Sequence, residues 1–245
     1  MHEIIEYQRY NFCFFSKLGG VSKNDFFSLN CAYSKGDNDQ NVKKNRQIAC
    51  HGFSQTKIVI PNQNHTNTVL EVKKENNIKL SSDGLITNRG DILLGILTAD
   101  CAPVVILGKK HFAIVHAGWK GLVDGIIENT IDKLLRCGEF IENLAVFVGP
   151  HLKKKSFEVK EDFIEILKKK VNYFDNFIEK SNKCFFFDFS KLIEEKLKEN
   201  KINNFQISDE DTFSNPEKFF SHRYSTINKI KKCGRQISLV GIKNK

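Results

Sequence analysis

Three short apolar runs, Ile92–Leu97, Val104–Leu107 and Phe112–Val115, follow one another with only turn-forming residues between them. Each run is shorter than an ordinary helix and apolar almost throughout, the pattern of a strand buried on both faces. Directly afterwards Leu122, Val123, Ile126, Ile127, Ile131, Leu134 and Leu135 recur at helical spacing, and Gly138 supplies a stop.

The flanks add further elements. Tyr10–Ser16 is aromatic and strand-like, Gly19–Gly20 turns the chain, and Asn41–Ala49 predicts a short helix. Ile58–Ile60 and Val69–Val72 predict strands on either side of a loop over Pro61–Thr68. Beyond the centre come a strand over Leu144–Val148, helices over Glu161–Phe174 and Phe189–Lys198, and a last strand over Ile237–Ile242. Asp188 or Ser190 is placed to cap the second of those helices. Strands and helices mix without strict alternation, so the expected class is α/β of the α+β kind and not a Rossmann fold.

No repeat, linker or low-complexity tract divides the 245 residues, and one domain over 1–245 is expected. The net charge of +9 raises the question of nucleic acid. Only six of the 38 basic residues are Arg, and the densest Lys clusters, Lys153–Lys155 and Lys168–Lys170, lack interleaved aromatics. These read as solvated surface, and no nucleic-acid partner is expected. The longest apolar stretch is broken by Asp100 and Pro103, so no membrane span is expected. The first ten residues carry Glu3 and Glu6 without a basic start, which does not read as a secretory leader. Seven cysteines without a C-x-x-C pair suit a reducing cytoplasm, most of them as small buried apolar residues.

Three expected strand ends carry metal-binding side chains: His65 in Asn62–Thr66, Cys101 in Thr98–Pro103, and His116 before Ala117-Gly118-Trp119. Strand ends hold loop-borne functional groups rigidly. Two imidazoles and one thiolate leave a position open on zinc, the catalytic arrangement. Asp100, next to Cys101, is a candidate acceptor for an imidazole N–H. The three are separated by 35 and 14 positions, which matches no compact metal motif. The residues alone therefore leave two chemistries open, a metal centre or a metal-free Cys101 nucleophile with His116 as base. Gly118 and Gly121 fit equally an anion-binding turn and a tight strand-to-helix turn. His151 and His111 read as structural or turn residues, and Trp119 as packing.

The segments QNHTNTV, SSDGLITN, LTADCAPVVI and HAGWKGLVDGI resemble the laccase-domain (YfiH-like) family. FFSKLGGVS, SLN, GDNDQNVKKNR and GRQISLVGI extend the resemblance over almost the whole chain, in order. The resemblance implies a single-domain layered α/β/β/α fold. It implies a purine nucleoside phosphorylase acting on adenosine, inosine, guanosine and methylthioadenosine, with adenosine deaminase activity. It also implies zinc on His65, Cys101 and His116, which double as catalytic residues, and substrate contacts from Lys17, Asn30, Asp100 and Arg223. Purine nucleosides and phosphate are the implied partners, and the chain is expected as a monomer or homodimer.

The family's older description as a polyphenol oxidase finds little support in the residues. A multicopper oxidase needs paired His-x-His ligands and commonly an axial Met. This chain has seven His, none two apart, and its one Met is Met1. Zinc is therefore expected ahead of copper. The His-x-Glu and Pro-Cys-x-x-Cys pattern of the zinc base deaminases is also missing. Departures from the family pattern fall on the substrate side. Lys17 stands where the family usually has Arg, Ser156 and Phe157 replace Cys and Tyr, and the late SYRR element reads Ser221-His222-Arg223-Tyr224. Lys keeps the charge but loses the bidentate fork. The competing expectations are a metal-independent Cys/His hydrolase acting on a cell-wall precursor and a non-catalytic metal-binding protein.

Overall fold

The computed structural model describes residues 3–33, 35–73 and 81–243, so both ends of the expected 1–245 domain lie outside it. The strands are β1 (Ile5–Tyr7), β2 (Tyr10–Phe14), β3 (Ile58–Val59), β4 (Val69–Glu71), β5 (Gly84–Thr87), β6 (Leu93–Thr98) and β7 (Ala102–Leu107). They continue as β8 (Phe112–Ala117), β9 (Ala145–Val148), β10 (Glu158–Val159), β11 (Ile178–Ser181), β12 (Cys184–Phe187), β13 (Phe205–Ile207) and β14 (Gln236–Ile242). The helices are α1 (Asp39–Cys50), α2 (Trp119–Val123), α3 (Ile126–Arg136), α4 (Glu161–Lys170), α5 (Phe189–Glu199) and α6 (His222–Ile227).

Two sheets lie face to face. One has five strands in the order β1-β2-β14-β6-β3, the other six in the order β13-β9-β7-β8-β5-β4. Side chains alternate between the faces of a strand, and the alternation sorts the central runs into separate cores. On β7 and β8, Val105, Leu107, Phe112 and Ile114 point between the sheets, where Phe12, Leu94, Ile96 and Val240 meet them. Val104, Ile106, Ala113 and Val115 point the other way, onto Ile127, Ile131, Leu134, Leu192 and Ile193 of α3 and α5. The far face of the five-stranded sheet sends Cys13, Leu93 and Leu239 onto Ala49 and Cys50 of α1. The layers therefore run helix, sheet, sheet, helix. Apolar residues at every position of the central runs follow from being covered on both sides. Among the described residues no helix is long and apolar enough to cross a membrane, and all seven cysteines are free.

The structure departs from the sequence reading in identifiable places. The helix expected through Leu122–Leu135 is two helices, because Gly125 sits between them at φ +90°, a left-handed conformation open to glycine. α4 stops at Lys170, and Tyr173 (φ +52°) leads into a 3₁₀ turn where helix was expected to continue to Phe174. A small third sheet, β10-β12-β11, was not anticipated. Its β11–β12 hairpin turns through Asn182-Lys183, with Asn182 at φ +55° and no glycine to mark the turn.

Lys153 is not solvated surface. Its Nζ donates to Ser190 Oγ (3.1 Å) and to the Ser208 carbonyl. Ser190 Oγ lies 2.8 Å from His151 Nε2 and donates to it, while His151 Nδ1 donates to the Gly149 carbonyl at 2.8 Å. His151 is fully buried. Burial first, and then the Lys153 charge, push its pKa down to about 3. The unfolded chain, with an imidazole pKa near 6.5, takes up a proton between those values that the folded protein refuses. Stability contributed by neutral His151 is thus present above about pH 6.5 and lost as pH falls toward about 3. Thermal midpoints measured from neutral pH to about pH 4 should fall more steeply in wild type than in His151→Gln; parallel curves would disprove this account.

Candidate metal centre

The register of three strands brings the expected ligands together. β7 pairs antiparallel with β8, with Ala102 opposite Ala117 and Pro103 opposite His116. Cys101, the residue before β7, is thereby placed beside the end of β8. On the other flank β5 pairs with β8, Gly84 opposite Val115. Asp83, the residue before β5, therefore lies beside His116, and the His116 N–H donates to the Asp83 carbonyl at 2.7 Å.

The Asp83 carboxylate supplies the rest. It is fully buried and accepts from the backbone N–H groups of Asn64 (3.2 Å), His65 (3.0 Å) and Thr66 (2.7 Å). The Thr66 hydroxyl donates to it at 2.8 Å and His116 Nδ1 at 2.7 Å. Burial pushes the Asp83 carboxyl up, but the His116 and Thr66 hydrogen bonds outweigh it and hold the group well below the ordinary carboxylate range. One ionised side chain thus fixes the left-handed His65 backbone (φ +59°) and the orientation of His116. With Nδ1 engaged, His116 presents Nε2 to the site.

The ligand atoms of His65, Cys101 and His116 lie within 4.8 Å of one another. Cys101 Sγ is 3.8 Å from His65 Nε2, and the two imidazole rings are 4.8 Å apart at 75°. His116 is buried, Cys101 partly exposed and His65 exposed, so the cluster opens on one side. Burial raises the Cys101 thiol, yet the charge and hydrogen bond of His116, followed by those of His65, bring it down to about 6. Burial lowers His116, and the Cys101 charge with the Asp83 hydrogen bond reverses this and raises it to about 9. The two imidazoles thus favour the thiolate, the form that a soft metal ligand or a nucleophile requires.

Space is arranged around the same atoms. A Cβ on Gly118 would stand 2.8 Å from His65 Cδ2 and 3.3 Å from Cys101 Sγ, and one on Gly121 would stand 2.6 Å from the Thr66 carbonyl oxygen. The glycines serve close packing of α2 against the His65 loop, the tight-turn alternative of the two read from sequence. Trp119 packs on Phe163 with ring centroids 4.7 Å apart.

Asp100 does not accept from an imidazole; Asp83 has that role. Asp100 (φ +86°) takes the Thr212 hydroxyl and the Arg223 N–H, both at 2.7 Å, and so ties Cys101 to the start of α6. The Arg223 guanidinium donates to the Glu158 carbonyl at 2.9 Å and lies over the Phe157 ring. Asn30 is buried and internally bonded: it donates to Asp37 and accepts from the N–H groups of Ala32 and Arg235. The Lys17 ammonium lies 5.8 Å from the Phe220 ring centre, and burial lowers its pKa. Among the described residues no hydrogen bond joins Lys17 or Asn30 to the triad. The sequence reading named Asp83 only inside a motif; its signal was a lone carboxylate directly before Gly84 and an apolar strand.

Two substitutions test this construction. Asp83→Ala strands a buried imidazole and three backbone donors, and should cost roughly 3–5 kcal/mol in urea unfolding. Gly118→Ala should keep the fold while weakening the affinity of the cluster for an added divalent metal ion at least ~10-fold in chelator competition, because the added methyl displaces His65 or Cys101. Wild-type affinity in Gly118→Ala would contradict the cradle.

Comparison with known proteins places this geometry. The family model described as multi-copper polyphenol oxidoreductase laccase matches residues 11–243. A purine nucleoside phosphorylase of Aquifex aeolicus is 35% identical over 161 residues, covering 66% of this chain and 74% of that protein. A purine nucleoside phosphorylase of Rickettsia conorii is 32% identical over 192 residues, covering 77% and 79%. Among solved structures, a Neisseria meningitidis protein described as DUF152 superposes with TM-score 0.88 at 24% identity over 99% of both chains. The Bacillus licheniformis protein YfiH gives 0.88 at 25%, covering 96% of this chain and 93% of that one. With the layered fold and nearly the full length matched, the chain belongs to the laccase-domain (YfiH/DUF152) family.

Proposed function

We propose that the protein is a zinc-dependent purine nucleoside phosphorylase acting on adenosine, inosine, guanosine and methylthioadenosine, with adenosine deamination as a second activity. The observation that carries this reading is the one-sided His65–Cys101–His116 cluster, preorganised by Asp83, in a chain whose relatives bear the phosphorylase name. The donor set fits the ion: a thiol brought to about 6, one imidazole with its far nitrogen engaged, and a second on a fixed loop. An axial Met for type 1 copper has no counterpart, since Met1 is the chain's one methionine. When bound, zinc supplies Lewis-acid polarisation of an oxygen at its open position.

The chain's own groups do the rest. In phosphorolysis a phosphate oxygen forms a bond to the ribose C1′ while the C1′–N9 bond breaks, its electron pair leaving with the purine, which takes up a proton. Lys17, Asn30 and Arg223 are the proposed substrate and anion partners, with Asp100 holding the start of the helix that carries Arg223. In deamination water adds at the purine C6 and ammonia leaves, giving inosine. A nucleoside incubated with phosphate and zinc-loaded protein should yield free base and ribose 1-phosphate by chromatography, and adenosine should also yield inosine. Cys101→Ala should lower turnover at least ~100-fold, more than loss of an outer partner costs. No product from wild type, or full turnover in Cys101→Ala, would overturn the reading.

One observation favours a second reading. A lowered thiol beside two imidazoles, one of them oriented by a buried carboxylate, also has the parts of a Cys-His-Asp hydrolase. Chelation separates the two: the phosphorylase loses its activity on metal removal, whereas amide hydrolysis by a Cys101 nucleophile survives it.

A further inference from the structure

We propose that Glu71, His111 and Cys137 form a second metal site that takes a zinc-type divalent ion, at the end of the six-stranded sheet away from Cys101. Glu71 closes β4, His111 precedes β8, and Cys137 follows α3. His116 lies near the other end of β8, five residues on, which at ~3.3 Å per residue sets the two clusters about 16 Å apart. The ligand atoms of Glu71, His111 and Cys137 lie within 4.8 Å of one another, as those of His65, Cys101 and His116 do. Tetrahedral zinc with bonds of about 2.0–2.3 Å sets its ligands roughly 3.3–3.8 Å apart, so small side-chain rotations close the site.

A second observation points the same way. His111 is 7% exposed, and its Nδ1 lies 3.2 Å from Glu139 Oε1. The Glu139 carboxylate is itself fixed by the N–H groups of Lys109, Lys110 and His111, at 2.8, 2.8 and 2.7 Å. This carboxylate–imidazole relay is how proteins orient a metal-binding histidine. His111 Nε2 has no protein partner among the described residues, and His111 lines a cleft of about 680 Å³ together with Glu71, Cys137, Asp132, Lys133 and Arg136. A nearly buried imidazole with one nitrogen fixed and the other unpartnered beside a thiol and a carboxylate has the donor chemistry of zinc, not of magnesium or calcium. Lys133 does not compete, since its Nζ donates to the Val69 carbonyl at 2.9 Å. Lys73 pairs with Glu71 at 3.2 Å but is 73% exposed, a weak partner that a divalent ion displaces. On binding, the Cys137 S–H proton leaves to solvent as the sulfur–metal bond forms, so affinity falls on acidification.

The test adds Co²⁺ to metal-free full-length protein and follows stoichiometry and the thiolate-to-cobalt absorption. Wild type should bind two equivalents, Cys101→Ala one with the thiolate band retained, and Cys101→Ala/Cys137→Ser none. Glu71→Gln in the Cys101→Ala background should weaken binding at least ~10-fold. Cys137→Ser alone reports on the His65–Cys101–His116 centre, so failure of that centre does not imitate failure of this one. The proposal falls if Cys101→Ala binds no cobalt, if Cys101→Ala/Cys137→Ser keeps the band, or if Glu71→Gln binds unchanged. Should Cys137→Ser fail to fold, Zn²⁺ protection of wild-type Cys137 from alkylation decides. At least ~10-fold slowing supports the site, and an unchanged rate overturns it.

Discussion

A carboxylate removed from water must be met by donors or it takes up a proton. Asp83 is fully buried and meets that demand with the Asn64, His65 and Thr66 backbones, the Thr66 hydroxyl and His116. The same bonds that keep it ionised hold the His65 loop against the sheet and turn His116 toward Cys101. Positioning of two ligands and the charge balance of the site thus depend on one side chain. The low Asp83 pKa supports a raised His116, and His116 in turn lowers Cys101. Mutually supporting hydrogen bonds and opposite charges thus run from the Asp83 carboxylate through His116 to Cys101, from the sheet interior outward to the open side.

The layered core is what allows this. β7, β8 and β5 are apolar on both faces because helices cover one and the second sheet the other. Strands so enclosed cannot slip by one residue without exchanging their whole sets of side chains between cores. The register Pro103↔His116 and Gly84↔Val115 is therefore fixed by hydrophobic packing, far more strongly than by any interaction at the site. Polar residues gather where the strands end, and two ends of β8 carry two clusters of metal-binding side chains, each with a carboxylate behind a histidine: Asp83 behind His116, Glu139 behind His111.

Particular residues show why some features were legible and others not. The central strands were readable because a doubly buried strand writes itself as an unbroken apolar run. The capping of α5 by Asp188 was readable because its side chain accepts from a neighbour three residues on, the Lys191 N–H. Where partners lie far apart in sequence, the reading assigned roles by proximity along the chain. It offered Asp100 to an imidazole because it adjoins Cys101, but the left-handed turn at Asp100 sends that carboxylate to Thr212 and Arg223. It placed Lys153 in solvent because its lysine cluster lacks interleaved aromatics, but Ser190 and Ser208 take its ammonium inside. The internal bonds of Asn30 to Ala32, Asp37 and Arg235 likewise join residues that no local pattern connects.

By itself the sequence determined the buried central strands and the three strand ends that carry His65, Cys101 and His116, because burial pattern and turn chemistry are local properties of the chain, whereas the layer order came with the family resemblance. Motif resemblance joined those ends into one centre and supplied its family. The tertiary structure decided what lies behind the centre. Asp83 is 18 residues from His65 and 33 from His116, and it reaches both because the pairing of β5 with β8 sets its position. Only the fold decided, too, that Glu71, His111 and Cys137 meet. Nothing in their local sequence signals a site; the meeting depends on a strand end, a turn and a helix end packing at one edge of the sheet.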